Sequence, residues 1–312
     1  MTGSRVVAVG HYQPERVLTN DELATMVDTS DEWIRTRVGI RARHIAAPDE
    51  QVDEMASRAA EKALAQAGFA AGEIDYVAVA TCTAIDRSPN IAARVAARLG
   101  LPGPAAVDIN TACSGFTHAL ATADHAIRAG AATRALVIGV EKLSDFTDWT
   151  DRTTCVLVGD GAGAVVLVAA DEPEVSPVVW GSVPEMSAAV RIEGRDGSFA
   201  QEGQSVFRWT TTALPGIARR VCEVAGVAPE DLGGIVLHQA NLRIIEPLAE
   251  RIGAVNAVVA RDVVDSGNTS AASIPIALSK LVERRELPVG APVLLFGFGG
   301  GLSYAGQVIR CP

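Results

Sequence analysis

The chain has 312 residues, with 27 Lys and Arg against 37 Asp and Glu, giving a formal net charge of -10 at pH 7. Hydrophobic residues make up 48% and aromatic residues 4%, which excludes a disordered chain and suggests closely layered helices and sheets rich in Ala, Val and Gly. The acidic surplus removes the attraction to phosphate that non-specific nucleic-acid binding requires, so DNA is not an expected partner, although a local basic cluster could hold a small anion.

The opening residues, MTGSRVVAVGHYQPE, lack the charged, apolar and cleavage-site order of an export signal. The longest apolar run, 162–170, is far shorter than the roughly 18–20 residues a membrane span needs. Five cysteines, at 82, 113, 155, 222 and 311, are odd in number and widely spread, with no C-x-x-C pair and no His at ligand spacing. That pattern predicts a reduced, cytoplasmic protein without structural zinc or any other bound metal.

In chain order, Val52, Met55, Ala59 and Ala63 recur at helical spacing until Gly68. An apolar strand is expected at 76–80. Phe116, Leu120, Ala123 and Ile127 mark a second helix that Gly130 stops, followed by strands at 135–140 and 164–168. Leu214, Ile217, Val221 and Val224 predict a third helix, a strand follows at 235–237, and Ile274, Leu278 and Leu281 mark a fourth helix before a strand at 293–296. The strand runs are short and apolar throughout, as in sheets covered on both faces.

The order strand, loop, strand, polar turn, helix, Gly-rich break, strand occupies 76–140 and recurs in 234–298. This reads as an internal duplication: an α/β protein of two equivalent halves, 1–170 and 171–312, joined by the Pro- and Glu-containing stretch 171–178. In this register Cys113 and Asn268 take corresponding positions at strand-to-helix turns, and His238 ends a strand. The carboxyl ends of strands are where open α/β sheets place ligands.

A cysteine directly ahead of a helix faces free backbone N–H groups and the positive dipole end, which would lower its pKa and make it a nucleophile. Cys113 in TACSGF fits that description, while a lone cysteine at a helix start also reads as a buried structural residue. His238 in LHQAN reads either as a hydrogen-bonding catalytic group or as a packed histidine, and Asn268 in SGNTSAAS as a donor or a turn residue. Gly159–Ala164 and Gly297–Gly301 match no phosphate-binding signature. They read as close backbone approach, between layers or to a substrate carbonyl. The segment 29–43, TSDEWIRTRVGIRAR, sets Trp33 among four arginines, suiting either a solvated face or a phosphorylated nucleotide.

Longer motifs carry more. DTSDEWIRTRVGIRARHIA (28–46), TACSGFTHAL (111–120), TDRTTCVLVGDGAGA (150–164), LHQANLRII (237–245), DSGNTSAASIP (265–275) and FGGGLSYAG (298–306) together resemble the β-ketoacyl-acyl carrier protein synthase III enzymes of the thiolase superfamily over nearly the whole chain. The resemblance implies a five-layer αβαβα fold, a homodimer, and decarboxylative Claisen condensation of an acyl-CoA with a malonyl-thioester on acyl carrier protein. No cofactor is implied, acyl-CoA and malonyl-thioester being substrates.

By the same resemblance Cys113 is the acyl-accepting nucleophile, His238 and Asn268 hold the enolate oxygen, and Gly299, Gly300 and Gly301 provide backbone oxyanion donors. Thr29, Trp33, Arg37, Arg152, Gly203 and Asn241 fall at CoA-binding positions, while Arg208 and Arg243 fall at carrier-docking positions. Glu250 departs from the basic residue of that docking pattern. The acyl pocket corresponds to Ser88, Leu143, Val158 and Phe298. Acetyl-specific members tend to carry phenylalanine where Ser88 and Val158 stand, which implies a longer or branched starter. Transfer of the acyl group to a hydroxyl or amine is the alternative activity within this branch. A papain-like hydrolase shares the Cys-His-Asn order, but the sequence around Cys113 lacks its motif.

Overall fold

The computed structural model describes residues 3–194 and 196–312. Its principal elements in the first half are β1 (Gly3–Tyr12), α1 (Asp31–Val38), α2 (Val52–Ala67), β2 (Tyr76–Ala80), α3 (Ile91–Arg98), β3 (Ala105–Ile109), α4 (Gly115–Arg128), β4 (Arg134–Lys142) and β5 (Asp160–Ala170). The second half contains β6 (Val179–Ser182), α5 (Gly203–Thr212), α6 (Leu214–Ala225), β7 (Gly234–Leu237), α7 (Leu242–Ile252), β8 (Val258–Val259), α8 (Ser273–Glu283), β9 (Pro292–Gly299) and β10 (Ser303–Arg310).

Two five-stranded sheets result, ordered β1-β5-β4-β2-β3 and β6-β10-β9-β7-β8. Read along each order, the pairings run antiparallel, antiparallel, parallel, parallel in both sheets. The duplication expected from sequence is therefore a duplication of topology, and the fold is a thiolase-like αβαβα stack. Phe116, Leu120 and Ile127 of α4 and Ile274, Leu278 and Leu281 of α8 share one core with Ala78, Val137 and Val165 of the first sheet and Val236, Val293 and Leu295 of the second. These two helices form the middle layer. Met55, Ala59 and Ala63 of α2 and Val95 of α3 cover the outer face of the first sheet, while α6 and α7 cover the outer face of the second.

Small residues make this layering tight. A Cβ on Gly163 of β5 would lie 2.5 Å from the backbone nitrogen of Ile276 in α8, a contact no side chain can relieve by moving. Gly68 closes α2 in the left-handed region at φ 69°, as its position after the last periodic residue predicts. Four helices were not legible as such: α1, α3, α5 and α7. α3 is only eight residues long, α1 reads as a charge run, and α7 contains Pro247, which ordinarily argues against a helix.

The two strand-to-helix turns correct one expectation. Ala112, at φ 45°, and Ser270, at φ 44°, each open a short 3-10 turn, Ala112–Ser114 before α4 and Ser270–Ala272 before α8. The Ala112 N–H donates to Asn110 Oδ1 at 3.5 Å, and the Ser270 N–H donates to Asn268 Oδ1 at 2.9 Å. Backbone geometry thus pairs Asn268 with Asn110 and Cys113 with Ala271. Cys113 and Asn268 are not equivalents. The shared Asn-Thr steps, 110–111 and 268–269, were the signal in the sequence.

Candidate active site

Cys113 sits in the 3-10 turn at the head of α4 and is buried. It lines a cavity of about 370 Å³ together with Asn268, Ser270, Gly300, Gly301 and the apolar side chains of Leu143, Val190, Ile192 and Phe199. The end of β9 presses against the thiol: a Cβ on Gly299 would lie 2.5 Å from Cys113 Cβ and 2.8 Å from its Sγ. Glycine is the residue that lets the backbone run this close to the sulfur.

The expected depression of the Cys113 pKa is not found. Burial pushes the thiol up, and the hydrogen bonds of the Ser270 hydroxyl and the Gly300 N–H offset only part of that rise. The nearby Glu141 carboxylate adds to it. Burial outweighs the helix-start position, so the resting group is a thiol.

Asn268 is held by backbone on both sides. Its N–H donates to the Leu157 carbonyl at 2.7 Å, and its own carbonyl accepts from the Gly159 N–H at 3.0 Å. Because Oδ1 accepts from the Ser270 N–H, the oxygen and nitrogen ends of the amide are distinguished. The Nδ2 donors remain for a ligand.

His238 follows β7 and is 2% exposed. Its N–H donates to the Phe296 carbonyl at 2.9 Å, and its Nδ1 lies 2.9 Å from Ser273 Oγ. The ring meets Phe298 edge-on at 5.4 Å between centroids. Burial lowers its pKa to about 3, so the imidazole is neutral at ordinary pH. When the Ser273 hydroxyl donates to Nδ1, the Nε2 nitrogen carries the proton. His238 is not among the residues lining the cavity. It approaches through β9, since β7 pairs with β9 up to Leu237 and Phe296, and a Cβ on the next β9 residue, Gly297, would lie 3.4 Å from the Cys113 carbonyl oxygen.

Among the pocket residues predicted from sequence, Leu143 lines the cavity. Ser88 instead lines an adjoining groove with Ile85, Arg87 and Phe146. Val158 is fully buried and bridges to Asn268 through its backbone, while Phe298 backs His238. The premise that Ser88 and Val158 widen the Cys113 cavity therefore does not hold within one chain. Val190, Ile192 and Phe199 form its apolar wall instead, and they escaped notice because no regular periodicity marks 187–199.

Of the predicted nucleotide residues, Trp33 and Arg152 are in contact. The Arg152 guanidinium lies 4.8 Å above the indole centroid, an arrangement that suits stacking. Arg37 is exposed on the same helix, α1, as Trp33. Thr29 Oγ1 is buried without a hydrogen-bond partner. Asn241 caps α7 by accepting from the Ile244 N–H at 3.1 Å, and Gly203 is exposed at the start of α5. None of these six lines the cavity at Cys113. Arg208 and Arg243 are exposed; Arg243 stacks over Phe207 at 5.8 Å and lines a groove with Glu246 and Glu250, so this face is of mixed charge.

Sequence reasoning passed over Ser270 and Ser303, and it grouped Arg43 with the arginines around Trp33, whereas Arg43 is fully buried. Ser303 Oγ donates to the Gly300 carbonyl at 2.8 Å and meets Ser114 Oγ at 2.8 Å, joining the two halves beneath the thiol. Among the described residues there is no group of three or more His, Cys, Asp or Glu arranged to hold a metal ion, and no helix is long and apolar enough to cross a membrane.

A family model described as 3-oxoacyl-[acyl-carrier-protein (ACP)] synthase III matches residues 107–184, and its C-terminal counterpart matches 222–311. A relative from Streptomyces avermitilis, "Beta-ketoacyl-[acyl-carrier-protein] synthase III 2", is 74% identical over 100% of both chains. "Beta-ketoacyl-[acyl-carrier-protein] synthase III 4" of Streptomyces coelicolor is 72% identical over 99% of each. Among solved structures, the priming β-ketosynthase of the R1128 polyketide biosynthetic pathway superposes with a TM-score of 0.97 at 41% identity, covering 99% of this chain and 96% of that one. The 3-oxoacyl-[acyl-carrier-protein] synthase III of Aquifex aeolicus superposes with a TM-score of 0.94 at 40% identity, covering 99% and 100%.

Proposed function

Because the chain belongs to the 3-oxoacyl-[acyl-carrier-protein] synthase III family of condensing enzymes, we propose that it joins an acyl-CoA starter to malonyl-acyl carrier protein by way of an acyl-Cys113 thioester. The observation that carries this reading is the joint presence of Cys113, Asn268 and the Gly300–Gly301 backbone in one apolar cavity.

In the first step Cys113 sulfur attacks the thioester carbonyl, the carbon–sulfur bond to CoA breaks, and the thiol proton passes to the departing CoA sulfur, so that CoA leaves as the thiol. The oxyanion is held by backbone N–H groups at Cys113 and in the Gly299–Gly301 loop. In the second step malonyl-carrier loses CO2. The resulting enolate oxygen takes hydrogen bonds from His238 Nε2 and Asn268 Nδ2, and its carbon attacks the acyl-Cys113 carbonyl. The Cys113–acyl bond breaks, 3-oxoacyl-carrier departs, and the Cys113 thiolate takes a proton from solvent to restore the thiol. A neutral histidine with its proton on Nε2 serves the second step as a donor, and its depressed pKa supports that role.

On this reading Trp33 and Arg152 stack on the adenine, Arg37 meets the phosphates, and Thr29, Gly203 and Asn241 line the path of the pantetheine. Arg208 and Arg243 receive the acidic carrier. The starter is longer than acetyl or branched, a reading that rests on the size of the cavity, which falls within the range of sites for drug-sized ligands. The working form is a homodimer, for which the free edge of β3 offers an unpaired strand.

The test is a panel of acyl-CoAs incubated with malonyl-carrier, with the carrier product read by mass. The expected result is 3-oxoacyl-carrier from branched or medium-length starters in preference to acetyl-CoA. A strong acetyl preference removes the starter assignment, and acyl transfer without carbon–carbon bond formation removes condensation.

A further inference from the structure

Arg43, on the short strand Ala42–Ile45, heads the fully buried side chains in size. It pairs with no carboxylate among the described residues. Its Nη1 donates to Asn20 Oδ1 at 2.7 Å and to the Leu18 carbonyl at 3.4 Å, while Nη2 donates to the Val156 carbonyl at 2.6 Å. Nε has no partner. Burial lowers the guanidinium pKa to about 10, which still leaves it charged at neutral pH. A buried cation without an anion is costly, and its neighbours show what it holds.

The Arg43 stem passes between two glycines. A Cβ on Gly159 would lie 3.2 Å from Arg43 Cβ, and one on Gly267 would lie 3.0 Å from it. These glycines flank the bridge between Val158 and Asn268. The Leu157 carbonyl, which receives the Asn268 N–H at 2.7 Å, is one residue beyond the carbonyl that Nη2 grips. One side chain therefore holds the Val156 carbonyl of the segment that bridges to Asn268 and packs against Gly159 and Gly267 beside that bridge. The far end of the network reaches α1: Asn20 Nδ2 donates to Asp31 Oδ1 and to the Ile40 carbonyl, both at 2.8 Å.

We propose that Arg43 is a positioning residue for Asn268, holding the 156–159 segment so that the asparagine amide donor faces the enolate oxygen. The inference rests on the enolate role of Asn268 given above. Arg43 has no contact with Cys113, so its removal acts on one half-reaction and spares the other.

Three variants, Arg43→Met, Arg43→Lys and Asn268→Ala, are compared by the rate of Cys113 acylation from acyl-CoA, read by intact mass, and by CO2 release from malonyl-carrier. Arg43→Met is expected to lose decarboxylation by roughly 30-fold, as small misplacements of a catalytic group do, with acylation held within about threefold. Arg43→Lys, which retains charge but loses the guanidinium fork, falls between Arg43→Met and the unchanged protein. Parallel loss of both rates in Arg43→Met, or decarboxylation that persists there while Asn268→Ala abolishes it, overturns the inference alone. Decarboxylation that persists in Asn268→Ala overturns the role of Asn268 and this inference with it. If Arg43→Met does not fold, Arg43→Lys decides: a selective loss of decarboxylation supports positioning, and no selective loss refutes it.

Discussion

The chemistry of Cys113 is set by two opposed effects of packing. Burial raises its pKa, and Ser270 and Gly300 pull it partly back, so the thiol depends on close, fixed neighbours and not on free solvent. Gly299 is the tightest of these, and its replacement is informative because the obstructed atoms, Cys113 Cβ and Sγ, cannot move without changing the nucleophile. Gly299→Ala is expected to slow Cys113 acylation by roughly 100-fold or more, with a stability loss of about 1–3 kcal/mol from overpacking. Stopped acylation assays and thermal unfolding measure the two effects. Acylation at the unaltered rate would mean that β9 does not crowd the sulfur. The motifs single out Cys113, His238 and Asn268 in the sequence, and the structure places Cys113 and Asn268 in one cavity, but the sign of the Cys113 pKa was not legible. A turn at a helix start predicts a lowered value, and only three-dimensional burial reverses it.

At the scale of elements, strands and long helices were readable because their apolar periodicity matches what the layers bury. Tyr76–Ala80 coincides with the expected run, and α2 ends at the expected glycine. The exceptions share a cause: tertiary packing overrides local signals. α7 keeps helical geometry around Pro247 because Ile244, Ile245, Leu248 and Ile252 are buried on one side. The mismatch between Cys113 and Asn268 arose because the duplicated turns are aligned by positive-φ residues, Ala112 and Ser270, which composition does not reveal. The pocket wall from Val190 to Phe199 was hidden for a similar reason, lying outside any long periodic element. One element prediction concerns β3, whose outer edge is unpaired. Sedimentation at micromolar concentration is expected to give twice the 32.5 kDa chain mass, while a monomer would leave that edge without the proposed partner.

For the whole molecule, the acidic balance and the paired sheets have separate consequences. The net charge of -10 leaves the proposed docking of an acidic carrier to local cations such as Arg208 and Arg243, of which Arg243 shares its groove with Glu246 and Glu250. The duplicated sheets place Cys113 on one half and His238 and Asn268 on the other, so each half holds only part of the proposed site. The most direct test is intact-mass analysis of the protein after exposure to acyl-CoA alone, then to malonyl-carrier. The account predicts a single acyl adduct on the peptide containing Cys113, discharged by malonyl-carrier with CO2 release and absent from Cys113→Ala. An adduct on another residue, or an acyl-Cys113 that malonyl-carrier cannot discharge, would contradict it.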